Sequence, residues 1–204
     1  MRRDDTRREG AAHAGATPAT AAGGPGFAIV PYRPAFRDAF ERLNRAWLAE
    51  LWVEPRDERV FADPEGAYVA TGGAILVALP WGDVPGAPGV ASAGTALDAG
   101  DPGVIGTVAL RREDAGLWEL CKLAVDARVR GRGIGDALVR AVIAAAHARG
   151  ARRVVLTTNT KLAAAVRLYR RHGFAEVPVR AYPERARADL EMALALAAPS
   201  PTHP

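Results

Sequence analysis

Between Val125 and Gly135 the chain reads V-D-A-R-V-R-G-R-G-I-G, so Gly131, Gly133 and Gly135 alternate with Arg130, Arg132 and Ile134. The segment follows an apolar run, Leu117 to Val125, that predicts a strand. After it, Ile134, Ala137, Leu138, Ala141, Val142, Ala145 and Ala148 recur at i, i+3, i+4, i+7 spacing, which predicts a helix closed by Gly150. A helix start leaves its first N–H groups without intrahelical partners, and Ser, Thr, Asp or Asn usually caps them. From Arg128 to Gly135 there is no such residue. Arg128, Arg130 and Arg132 instead sit at the positive end of the helix dipole, where cations are disfavoured unless an anion joins them. A bound phosphate resolves both problems. Taken alone, the glycines also suit a wet strand-to-helix turn with solvated arginines. A dinucleotide fingerprint fits poorly, because it needs three differently spaced glycines early in a βαβ unit and an acid about 20 residues on.

The rest of the chain supplies the frame for this segment. Phe27 to Val30 is a short strand before Pro31 and Pro34, and Phe36, Phe40, Leu43, Trp47 and Leu51 mark a helix. A loop-like or short helical stretch with Glu54, Asp57, Glu58, Asp63 and Glu65 follows. Gly73 to Leu79 and Val104 to Arg111 read as two strands of a hairpin, separated by Pro80 to Gly103, which is far longer than an ordinary turn. Val154 to Thr158 is a β-branched strand. Leu162, Ala165, Val166 and Tyr169 mark a helix that Gly173 caps, and Phe174 to Val177 and Leu190 to Leu196 supply closing strands. This order describes an α/β (α+β) domain with a mixed sheet. Residues 1–26 carry almost nothing large and apolar, so a disordered N-terminal tail is expected there, with the domain over 27–197, the insertion over 80–103 and a C-terminal tail over 198–204.

Composition narrows the classes of function. Cys121 is the single cysteine, which excludes an intrachain disulfide and fits a reducing, cytoplasmic setting. His13, His147, His172 and His203 are scattered without ligand spacing, so no metal site is expected. No stretch approaches the length of a membrane span, and the N-terminus lacks the apolar core of a signal peptide. The excess of 27 Lys and Arg over 23 Asp and Glu suits a phosphorylated ligand. It would also suit nucleic acid, but neither stacking aromatics nor a reader motif accompanies it, so no specific nucleic-acid partner is expected.

Arg130, Gly133 and Gly135 match the pattern Arg/Gln-x-x-Gly-x-Gly/Ala after an apolar strand. N159-T-K-L-A-A-A-V-R-L-Y169-R-R-H-G173-F174 adds an asparagine ending a strand and the pattern A-x-x-L-Y-x-x-x-G-F. Together, and in this order, the two resemble the motifs of the GNAT superfamily of N-acetyltransferases over roughly Phe27 to Leu196. The resemblance implies a GNAT fold: a mixed central sheet of about six to seven strands flanked by about four helices, with strands four and five splayed apart. It also implies acetyl-CoA as cosubstrate, a primary amine of a small molecule or peptide as acceptor, and direct transfer in a ternary complex.

Residue by residue, the resemblance implies that the amides from Arg130 through Gly131, Arg132, Gly133 and Ile134 to Gly135 receive the pyrophosphate. Leu123, Ala124 and Val125 offer main-chain hydrogen bonds to the pantetheine arm, with Ala124 or a neighbour facing the thioester oxygen. Asn159 either bonds the pantetheine and shapes the cleft or, with Thr160, caps the next helix. Tyr169 is the implied general acid, since a phenol stays protonated at neutral pH. An amine acceptor must lose a proton, and Glu119 is the candidate base; strand alternation leaves open whether it faces the cleft or pairs outward with Lys122 or an arginine. Cys121 is expected to be a buried structural thiol. The acids around Trp47 and Trp52 suit a cationic amine or are simply a solvated face. A non-catalytic CoA-binding sensor and the transfer of a longer acyl group such as succinyl share these motifs, and the oligomeric state, a homodimer included, stays open.

Overall fold

A computed structural model describes residues 26–81, 103–180 and 186–197. Apart from Gly26, Pro80, Trp81 and Gly103, the expected tails and the 80–103 insertion lie outside the described residues. Strand β1 (Phe27–Pro31) leads through a 3-10 turn into α1 (Arg37–Leu48), followed by α2 (Pro55–Ala62) and a π turn (Glu65–Val69). The antiparallel strands β2 (Ala74–Pro80), β3 (Gly106–Asp114) and β4 (Leu117–Val125) come next. Then follow α3 (Ile134–Ala148), β5 (Arg153–Thr158), α4 (Ala163–Arg171), β6 (Ala175–Val177) and β7 (Leu190–Ala195). The seven strands form one mixed sheet in the order β1-β2-β3-β4-β5-β7-β6, and the β4–β5 pair is parallel. No helix of the described residues is long and apolar enough to cross a membrane.

Both faces of the sheet are covered, so its strands are apolar on both sides. On β2, Ala74 and Ala78 pack in the cluster containing α3 residues Leu138 and Val142. Ile75 packs with Phe40 and Phe61 of α1 and α2, while Val77 and Leu79 pack with Ala39 and Leu43. This is the two-residue alternation of an extended chain. The first helix ends at Leu48 rather than reaching Leu51 as its periodicity suggests, since Leu51 N–H donates to Leu48 in a closing turn.

Two departures from regular pairing shape the centre. Along β4 and β5, the register runs from Leu117 opposite Arg153 to Glu119 opposite Val155 and goes no further. From Leu120 to Val125, β4 therefore has β3 on one side and, among the described residues, no strand on the other. Against β3, Thr107 faces Ala124 but Ala109 faces Cys121, so β4 carries one extra residue there. Lys122 sits in that bulge with φ +55°, a left-handed conformation that a lysine adopts only at some cost.

Candidate active site

The splay opens a cleft of about 670 Å³. One wall is β4 from Glu119 to Val125, the other is the end of β5 with Asn159 and the start of α4, and the N-terminus of α3 closes one end. Trp47, Glu50, Glu54 and Arg187 stand at the opposite end.

At the α3 end, the segment flagged by its glycines forms a cradle. Gly133 is the N-cap, with φ +79° and no side chain capping the helix, and Gly131 is also left-handed at φ +81°. A Cβ on either would meet no protein atom within 4 Å, whereas one on Gly135 would lie 3.3 Å from the Leu168 side chain. Backbone conformation alone thus favours glycine at 133, while at 135 the approach of Leu168 leaves little room for a side chain. Arg130, Gly131, Gly133, Ile134 and Gly135 all line the cleft; Arg132 is exposed and does not. Arg128 is turned back onto Asp126, which accepts from its main-chain N–H at 2.9 Å and from its guanidinium at 2.6 Å, so it is not offered to an anion as its place in the sequence suggests.

Tyr169 reaches the cleft from α4, buried against Phe174 in an edge-to-face contact at 5.9 Å. Burial pushes its phenol well above its ordinary value, and the nearby Cys121 adds to the effect, so the hydroxyl stays protonated across the physiological range. Asn159 is buried at the end of β5; its amide donates to the Arg187 carbonyl at 2.7 Å and its side-chain oxygen accepts from Lys161 N–H at 2.9 Å. It braces the turn into α4 without capping that helix, whose N-cap is Leu162. Thr160 likewise bonds Asp189 rather than α4.

Glu119 is almost fully buried and lines the cleft. The Arg111 guanidinium opposite it on β3 pairs with it, while the Lys122 ammonium goes to Asp57. Cys121 is half-buried as a residue, and the burial of its sulfur, with the charge of Glu119 nearby, raises the thiol to about 11. That value argues against a thiolate nucleophile. The buried Tyr68 hydroxyl beside it has no hydrogen-bond partner of normal geometry among the described residues.

A cluster at the Trp47 end of the cleft escapes sequence reading. Asp57, fully buried, accepts from Glu54 N–H at 2.9 Å, from the Lys122 ammonium and from both arms of Arg187 at 2.5 and 3.0 Å. Arg187 N–H also donates to Glu54 at 3.0 Å, and its guanidinium lies 5.7 Å from the Trp47 ring centre. Burial by itself would raise the Asp57 carboxyl, but the hydrogen bonds from Arg187 and the charge of Lys122 overcome it and hold it at about 2. For Lys122 burial dominates, drawing the ammonium below its ordinary value against the opposing pull of Asp57. The acids near Trp47 and Trp52 therefore divide. Glu54 and Asp57 are bound internally and Glu58 pairs with Arg45 at the surface, while Glu50 is exposed at the rim of the cleft. A lysine inside the apolar run of β4 is the one local hint of this cluster; Arg187, in a polar stretch, carries none.

A family model described as the acetyltransferase (GNAT) family matches residues 30–174. Mycothiol acetyltransferase of Beutenbergia cavernae is 37% identical over 84 residues, a match spanning 41% of this chain and only 28% of that relative. Among solved structures, an acetyltransferase of the GNAT family from Staphylococcus aureus has a TM-score of 0.67 at 18% identity, covering 84% of this chain and 99% of that one. A GNAT family acetyltransferase from Brucella melitensis in complex with acetyl-CoA has a TM-score of 0.54 at 21% identity, covering 84% and 88%. At these identities the solved structures speak for the fold. The family match runs from β1 through the end of α4 and takes in the glycine cradle, the splayed strands and Tyr169, and on that ground the chain belongs to the acetyltransferase (GNAT) family.

Proposed function

We propose that this chain is an acetyl-CoA-dependent N-acetyltransferase that moves an acetyl group onto a primary amine of a small molecule or peptide by direct attack within a ternary complex. The observation that carries the reading is a helix N-terminus without a side-chain cap, opening through left-handed Gly133 onto a cleft walled by unpaired β4 main chain and a buried phenol.

These residues fit acetyl-CoA in three respects. The main-chain amides from Arg130 to Gly135, leading into α3, suit a pyrophosphate, with Arg130 at the cleft to add charge. The free edge of β4 at Leu123, Ala124 and Val125 suits the amides of a pantetheine arm. Tyr169 stands in the same cleft, with Asn159 bracing the turn beside it. The cosubstrate brings an activated thioester carbonyl and a thiolate leaving group.

Tyr169 holds its proton because burial disfavours the phenolate, and it delivers that proton to the departing sulfur. A main-chain N–H at Ala124 or a neighbour faces the thioester oxygen as a preorganised dipole. Glu119, kept in place by Arg111, accepts the proton of the amine directly or through one water. Because Glu54 and Asp57 are already neutralised by Arg187 and Lys122, the acceptor is a single amine rather than a polycation that needs several free carboxylates. A cytoplasmic setting suits the lone thiol.

Calorimetric titration of the purified chain with acetyl-CoA, CoA and succinyl-CoA tests the reading. Saturable binding of one acetyl-CoA per chain, with succinyl-CoA weaker, is expected; a folded protein that binds none of the three refutes it.

A further inference from the structure

The bulge in β4 has a geometric consequence for which face each side chain takes. Leu120 lies in the cluster on the α3 side and Cys121 in the cluster with α1 and α2, as alternation requires. Alternation would next send Lys122 back toward α3. Instead its ammonium reaches Asp57 of α2 and sits 4.9 Å over the Phe61 ring, on the same side as Cys121. Leu123 then returns to the α3 side and Ala124 to the α1 side, so the extra residue absorbs the turn. The left-handed backbone at Lys122 and its buried ion pair are therefore two halves of one arrangement.

Asp57 links this arrangement to the far end of the cleft. Its carboxylate is shared with Arg187, 130 positions away along the chain, which in turn holds Glu54. Lys122, Arg187 and Glu54 all line the cleft, with Asp57 behind them. Three separate segments thus meet on one buried carboxylate: α2, the bulged strand and the stretch leading into β7.

We propose that Lys122 is a positioning residue: anchored on Asp57, it fixes the β4 bulge so that the main chain from Cys121 to Val125 keeps its place along the cleft, and the shared carboxylate fastens the acceptor wall to that strand. The proposal rests on the acetyltransferase reading for its kinetic consequence, but its structural consequence stands alone. Losing the anchor lets the bulge relax into the regular register, which moves the main chain beside the reacting carbonyl and leaves the α3 cradle untouched.

The test compares the full-length chain with Lys122→Met, Lys122→Arg and Asp57→Asn. It uses amide hydrogen exchange, acetyl-CoA titration and thiol-release kinetics with the amine the wild-type chain acetylates. In Lys122→Met, exchange from Leu120 to Val125 and around Arg187 should rise about tenfold or more while β1 and β2 stay protected. Turnover should fall about tenfold with the KM for acetyl-CoA raised by less, since the main chain from Leu123 to Val125 shifts while the cradle holds, and Lys122→Arg should restore both. If Lys122→Met does not fold, Asp57→Asn reaches the same anchor with its Arg187 contacts weakened rather than lost. Unchanged exchange in β4, a uniform rise across the sheet, or a parallel loss of turnover and acetyl-CoA affinity overturns the proposal. Should wild-type protein bind no acetyl-CoA, the acetyltransferase reading fails while the exchange measurement still decides whether Lys122 holds the bulge.

Discussion

Replacing Gly133 with glutamate separates the cost to the fold from the cost to the cradle. At φ +79° a residue with a Cβ is disfavoured by roughly 1–2 kcal/mol. No protein atom lies within 4 Å of that Cβ, so steric overlap adds nothing. For a domain of this size each 1 kcal/mol lowers Tm by about 2–4 °C, giving a fall of roughly 2–8 °C and a folded protein at 25 °C. The loss in binding is larger. A carboxylate about 5 Å from one phosphate charge, at an effective dielectric near 20, is repelled by about 3 kcal/mol, or roughly a hundredfold in Kd. Gly133→Ala should show the same thermal shift with a much smaller loss of affinity, which isolates the charge. Calorimetric titration with acetyl-CoA and thermal melting of both variants give the two quantities. A folded Gly133→Glu protein that binds acetyl-CoA within about threefold of wild type would refute the cradle.

Three further outcomes follow from the site. Tyr169→Phe should lower turnover by roughly 10²–10⁴-fold while leaving acetyl-CoA affinity within about twofold, and in wild type no loss of activity from phenol ionisation should appear below about pH 10; equal losses in turnover and binding would show that the hydroxyl does not act as the acid. Asp57 has a folded value of about 2 against 3.8. Its contribution, roughly 2 kcal/mol, is present above the unfolded value and fades as pH falls from about 4 through 2, so acid titration of stability should flatten over that window in Asp57→Asn. Cys121, raised from 9.0 to about 11, should carry about 100-fold less thiolate at pH 7.5 and react with iodoacetamide at least about tenfold more slowly than an unperturbed thiol; reaction at the ordinary rate would contradict the burial of its sulfur.

The features legible in the sequence are local ones. The glycine cradle, the helix behind it and the Tyr169 helix announce themselves through periodicity, φ requirements and missing caps within a few residues. The hairpin of β2 and β3 is legible because both strands end in turn-forming composition. Pairings across long sequence separations leave no such mark. Lys122 meets Asp57 over 65 positions and Arg187 meets it over 130, and nothing near Asp57 distinguishes a buried, doubly bound carboxylate from the solvated acids around it. Glu119 is intermediate: its place on β4 is readable, but its direction depends on where the extra residue falls and on Arg111 being opposite. The Asn159 cap misplaces a real role by one turn, because its side chain braces the Lys161 turn and Arg187 before α4 begins.

Acetyl transfer itself is tested most directly by incubating the full-length chain with acetyl-CoA and a panel of single amines, polyamines, amino acids and peptides, following thiol release and the mass of each acceptor. Release of one thiol per acceptor gaining one acetyl group is expected, lost in Gly133→Glu at acetyl-CoA concentrations near the wild-type Kd and strongly reduced in Tyr169→Phe. Binding of acetyl-CoA with no acetylated product and no thiol release above background across the panel would contradict it, leaving a protein that holds the cosubstrate without transferring its acyl group.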